Sequence, residues 1–155
     1  MATAFDTFDQ YGIGHYAGQV EDMGLADIVS RAASGSDIGY GLGVIDVDQR
    51  SAALPTDSEV SNGITIRESV RDNEAGDNPS TVYPEDHEMS VIRVGRVWVS
   101  TVDGADVGED VYVVPATGAI TNDDDDGTNI QLPNAAFKSA AGAGELALVQ
   151  LDGNK

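Results

Sequence analysis

The stretch MSVIRVGRVWVSTVDGADVGEDVYVVPATGAI, residues 89–120, constrains the fold more than any other part of the chain. Val91, Arg93, Gly95, Val97, Val99 and Thr101 alternate with Ile92, Val94, Arg96, Trp98, Ser100 and Val102, the period-two register of a strand with two unlike faces. A turn is expected next. Asp103-Gly104 and Gly108-Glu109-Asp110 supply residues that tolerate positive φ or bond their own backbone, and residues 111–114 then resume a strand that Pro115 closes. The stretch predicts a β-meander in which Trp98 and Tyr112 face each other, or nearly so, as core or core-rim aromatics.

The rest of the chain is dense in turn signals and poor in helix signals. Gly18 and Gly24 flank the only weakly helical segment, and each glycine costs a helix interior about 0.8–1 kcal/mol relative to Ala, so at best a short turn forms near 22–30. Strands are expected at 28–31, at 38–47 after a Ser34–Asp37 turn, at 64–70, at 130–133 and at 146–151. In the second of these, Tyr40, Leu42 and Val44 share one face and Gly39, Gly41 and Gly43 the other, a glycine face that lets another backbone approach closely. Polar connections are expected at 48–61 and 71–88, an acidic loop at 121–129 and a loose tract at 134–144. No 10–15-residue amphipathic helices separate the strands, so parallel crossovers lack their connectors. The expected fold is all-β: an antiparallel β-sandwich or jelly roll, or a partly closed barrel, with an extended N-terminal arm over 1–16 and one β domain over 17–155.

Charge narrows the function. The chain carries 27 acidic against 8 basic residues, a formal charge of −19. Nucleic acid and anionic membranes would be repelled, since binding either needs Lys and Arg to displace counterions. A dense carboxylate surface suits a saline medium or a particle that must stay dispersed. With no cysteine among its 155 residues, packing alone must hold the fold. No basic segment followed by an apolar one opens the sequence, and no apolar run approaches a membrane span, so a soluble protein is expected.

Catalytic signatures are missing. The sequence has no Gly-x-Ser-x-Gly elbow, no phosphate loop and no His-Glu-x-x-His pair, and its two histidines, His15 and His87, sit in segments expected at the surface. In Asn122-Asp123-Asp124-Asp125-Asp126-Gly127 the first residues mimic a calcium loop, but Pro133 stands where a bidentate Glu is required. An EF-hand is rejected, and Asp124 and Asp126 remain as weak cation candidates, with the 85–88 run Glu-Asp-His-Glu behind them. No cofactor is expected.

The pairing of a Gly-x-Val-Trp-Val strand with a Gly-Glu-Asp-Val-Tyr-Val-x-Pro-x-Thr-Gly return resembles the head-decoration, or structural cement, proteins of tailed bacteriophages. So do GQVEDMGLADIVSR at 18–31, Gly41-Leu42-Gly43-Val44, Gly63-Ile64-Thr65-Ile66-Arg67 and the ending at 130–151, in the same order. The resemblance implies a non-enzymatic virion protein on the outer surface of the assembled head, made in the host cytoplasm. It would bridge major capsid subunits and stabilise the expanded shell. The runner-up is an extracellular β-sandwich module recognising a glycan or host surface, in which Trp98 would be an exposed platform.

Contact residues follow from the same reasoning. Phe5, Phe8, Tyr11 and Tyr16 stand among Asp, Gly and Thr at a spacing that suits neither a helix nor an alternating strand, so the arm is read as a contact element. Arg31, Arg67 and Arg71, with Arg93 and Arg96, are candidates for bidentate pairs with capsid or sister-subunit carboxylates. A homodimer is expected ahead of a trimer, with sister subunits packing at the Gly39, Gly41 and Gly43 face.

Overall fold

A computed structural model of the chain describes residues 16–21, 24–56, 61–67 and 82–152. Eleven strands appear among them: β1 Asp27–Ala33, β2 Ile38–Gly39, β3 Gly43–Asp46, β4 Ser51–Ala53, β5 Gly63–Thr65, β6 Val82–Tyr83, β7 Glu88–Ser100, β8 Asp110–Val113, β9 Ile120–Thr121, β10 Ile130–Phe137 and β11 Leu146–Asp152. Nine form one sheet, ordered β1-β4-β3-β5-β7-β11-β10-β8-β9, and β2 pairs with β6 in a small second sheet. All pairs are antiparallel except β1 with β4. Among the described residues the only helical piece is a 3-10 turn at Asp125–Gly127.

The sheet curls on itself twice, and β7 is the shared wall. At its N-terminal half β1 pairs along one edge and β5 along the other, which joins β1-β4-β3-β5-β7 into a ring. At its C-terminal half β11 takes over from β5, and the sheet continues through β10 and β8 to β9, where Ile120 bridges Thr101 just past the end of β7. Of the architectures left open by the sequence, a partly closed barrel forms.

Each curl has its own core. Ala33, Ile38, Val44, Ala52, Tyr83, Met89 and Val91 fill the first, and Val97, Val99, Val111, Val113, Ile120, Phe137 and Val149 belong to the second. Consecutive residues of β7 serve different cores: Val91 enters the first, whereas Ile92 joins the second. Burying both sides at this point explains why the alternating pattern becomes a continuous apolar pair there. Each fully buried side chain of this size contributes about 1.5–3 kcal/mol, which is how a chain without disulfides holds together.

The structure corrects several expectations. The meander does not form: β7 and β8 are separated in the sheet by β11 and β10, so Trp98 lies opposite Leu148 and Tyr112 opposite Gln131 and Thr121. Local alternation defines the strands but not their neighbours, and the C-terminal hairpin outcompetes the local one for the edge of β7. The expected strand at 38–47 is broken at Gly41, whose φ of +71° turns the chain from β2 into β3. Its glycine face is filled from within. A Cβ on Gly43 would lie 2.6 Å from both methyls of Val113, and one on Gly41 3.1 Å from Ala17, so neither is open to a sister subunit. The polar connection at 48–61 contains β4, and the excursion at 71–88 includes Tyr83, fully buried with its hydroxyl donating to Ile66 O. Finally, β10 runs through Pro133 and on to Phe137, into the first residues of the tract expected to be loose, accommodated by an irregular register against β8 and by Asn134 at φ +54°.

Candidate functional site

Two of the expected contact residues are placed by the first curl. Arg31 projects from β1, Arg93 from β7, and both hold Asp46 at the end of β3. Arg31 Nε donates to Asp46 Oδ1 at 3.0 Å, and Arg93 Nη2 donates to Oδ2 of the same carboxylate. A bulge makes this possible. Asp27 pairs with Val94 but Ile28 with Ile92, which leaves Arg93 as the additional residue, and such an insertion redirects a side chain. Among the described residues, Arg93 Nε is buried without a hydrogen-bond partner. Two guanidiniums thus share one carboxylate.

Arg50 extends this cluster. The turn at 47–50 is fixed by Asp48 Oδ1, which accepts from the N–H groups of Arg50 at 2.7 Å and Ser51 at 2.8 Å. These bonds, the Arg50 N–H first, hold the Asp48 carboxyl below the ordinary carboxylate range, with Arg31's charge a smaller influence. A hollow of about 310 Å³ lies alongside, lined by Ser30, Arg31, Ala32, Gln49, Arg50, Asp86 and Glu88.

A second surface region surrounds the start of the described chain. Tyr16 N bonds to Gln19 Oε1, Gly18 N donates to Trp98 O at 2.8 Å, and Arg67 N donates to Gly18 O at 2.9 Å. The Arg67 guanidinium lies 4.5 Å from the centre of the Tyr16 ring, a cation–π stack. Residues 16–21 are thus tied along β7, and whatever precedes Tyr16 departs from a fixed point. Trp98 is half-buried on the outer face beside them, its indole N–H donating to the Glu21 carboxylate. It is a rim aromatic, one of the two placements expected, and not a free platform.

The structure does not gather the remaining candidates. Phe5, Phe8, Tyr11 and Arg71 lie outside the described residues. Arg96 is exposed and bonds Gln150 Oε1 at 3.3 Å, not Asp46. Asp124 and Asp126 are exposed on the 3-10 turn, where Asp124 O accepts from Gly127 N and Asn129 N, so the turn is closed by backbone. No group of three or more His, Cys, Asp or Glu able to hold a metal ion occurs among the described residues. Glu109 is also a carboxyl held low, by the Asn122 side-chain amide first and the Asp106 N–H second. It braces the loops at 106 and 122.

Sequence reasoning missed Asp46, Arg50, Leu25 and Ile28. Leu25 is 90% exposed and Ile28 45%. Residues 25–29, LADIV, carry a signal that was readable in principle: apolar residues on both faces of a short strand, of which only one face can be covered by a single neighbour. Asp46 had none, because its partners are 15 and 47 residues away.

The partly closed barrel defines an all-β protein. Its fold is similar to that of a chain in the capsid of Myoviridae Phage XM1, with a TM-score of 0.68, 20% identity, and coverage of 88% of this chain and 89% of that one. The head fiber gp8.5 N base of bacteriophage phi29 aligns more distantly, with a TM-score of 0.49, 11% identity, and coverage of 83% and 95%. No curated protein matches the sequence. Residues 7–152 match the family described as structural cement protein (E217 gp24/Pam3 gp6). The chain belongs to this phage structural cement family, which places it on the virion capsid.

Proposed function

We propose that this protein binds the outer surface of the assembled phage head, bridges neighbouring major capsid subunits and stabilises the expanded shell, with no catalytic role. The observation that carries the reading is the family match across residues 7–152, nearly the whole chain. A protein that binds the expanded lattice in preference to its precursor shifts the equilibrium toward that lattice by mass action. A specific contact of this kind needs on the order of 1,000 Å² of buried surface, spread over the subunits it bridges. Two surfaces support such contacts. One is the arginine cluster, suited to carboxylates; the other is the arm, residues 1–16, launched from the Tyr16–Arg67 stack and bearing Phe5, Phe8 and Tyr11.

Reconstitution on stripped heads tests this. Adding the full chain should raise the temperature at which heads release DNA, and deletion of residues 2–12 should weaken binding while leaving the protein folded. Heads that melt at the same temperature with and without bound protein would defeat the stabilising role. Unfolding of the truncated protein would put the arm in the core rather than at a contact.

A further inference from the structure

β1 has an uncovered edge. It meets β4 only at Ala32 and Ala33, so among the described residues the side it turns away from β7 carries no strand from Asp27 to Arg31. The hydrogen bonds fix which groups face that side. Ala32 N donates to Arg50 O at 2.7 Å and Ser34 N to Ala52 O at 2.9 Å, whereas Ala33 N donates the opposite way, to His87 O. Main-chain groups two residues apart in a strand point the same way, so Ile28 and Ser30 also aim their N–H and C=O groups outward. Arg31 Nη1 covers Ser30 O at 2.9 Å. Among the described residues, the outward groups of Ile28 and the Ser30 N–H form a short open ladder.

The surroundings of this ladder have a definite chemistry. Arg31 and Arg50 line the hollow beside it. Asp86 and Glu88 line the same hollow, so an acidic segment gains only where its carboxylates meet Arg31 or Arg50. Ile28, 45% exposed on the edge strand itself, adds apolar surface. An open strand edge flanked by arginines and carrying an exposed isoleucine fits an extended segment that carries both carboxylates and large apolar side chains.

We propose that residues 1–15 of a neighbouring copy lie along this edge as an added strand. That segment carries Asp6 and Asp9 with no Lys or Arg, and Phe5, Phe8 and Tyr11 between them and beyond. Fully extended, its 15 residues reach on the order of 50 Å. Geometry favours a neighbour over the same chain. Residues 18–21 lie against β7 at 96–98 and β1 against 88–94, both running the same way, so the chain before Tyr16 starts at the opposite end of β7 from Ser30. That separation is roughly 30 Å along the strand, and a segment entering from there would have to reverse to reach its own edge.

This inference rests on the reading of the arm as a contact element, and its test separates the two. The chain has no native cysteine. Full-length Phe8→Cys protein mixed with full-length Ile28→Cys protein should give disulfide-linked heterodimers on oxidation, well above the yield with Val107→Cys, which is exposed elsewhere. Adding Ser30→Pro to the acceptor chain removes one outward N–H and should cut the yield about fivefold, with the melting temperature unchanged because that N–H bonds nothing within the sheet. Equal yields at Ile28 and Val107, or linkage that survives Ser30→Pro, would overturn the proposal. So would a link formed within single chains carrying both Phe8→Cys and Ile28→Cys. Loss of head binding on deleting residues 2–12 without any such link would leave the cement reading standing and remove this one.

Discussion

Replacing Gly43 by Ala tests whether the two curls interlock as described. Gly43 belongs to the first ring and Val113 to the second, and a methyl at position 43 would sit 2.6 Å from Val113 Cγ1 and Cγ2 and 3.2 Å from its Cβ. Val113 is fully buried and cannot swing clear. Overpacking of this kind costs about 1–3 kcal/mol, which for a domain of this size lowers the melting temperature by about 2–12 °C. Val113→Ala removes two methyls and leaves a void, at about 2–3 kcal/mol. In the double variant the added methyl occupies the vacated space, so the loss should fall short of the sum of the single losses by at least about 1 kcal/mol. Urea melts of the four proteins measure this cycle. Strict additivity, or a Gly43→Ala protein that melts with its parent, would show that β3 and β8 do not meet at these residues.

Tyr83→Phe should cost about 1–3 kcal/mol in the same assay, because it strands the buried Ile66 carbonyl that the hydroxyl serves. Asp48→Asn should destabilise the protein at neutral pH. A carboxyl held low in the fold contributes stability above its unfolded pKa and loses it as pH falls through the folded value, so the difference from the parent should close below about pH 4. Trp98 fluorescence should be quenched less by iodide than by neutral acrylamide, and Glu21→Gln should narrow that gap by removing the carboxylate beside the indole. Sedimentation velocity should show a homodimer that deletion of residues 2–12 converts to monomer and that weakens as salt screens Asp6 and Asp9 from Arg31 and Arg50. A dimer that strengthens on adding salt would mean that opposite charges do not hold the interface.

The fold class was legible because its signals are local. Period-two patterning at 89–100 and 146–151, Gly and Asp turns, and missing helix connectors depend only on neighbouring residues, and β7 and β11 appear where the pattern puts them. Pairing was not legible. Nothing in 89–120 states that residues 146–152 will claim the edge of β7, because that choice is made by burial of Ala147, Val149 and Leu151 in the second core. Glycines were ambiguous in the same way: their pattern announces a close approach, and only the fold shows that Gly43 meets Val113 rather than a second subunit. At the surface, the residue type marked Arg31 and Arg67, but Asp46, which organises Arg31 and Arg93, comes from a third strand that no spacing rule reaches.

Quantitative mass spectrometry of purified virions tests the central claim most directly. The account predicts this chain in the particles at an abundance near that of the major capsid protein, released from intact heads before the shell subunits as denaturant rises. Virions that contain every other structural protein and lack this one would contradict it.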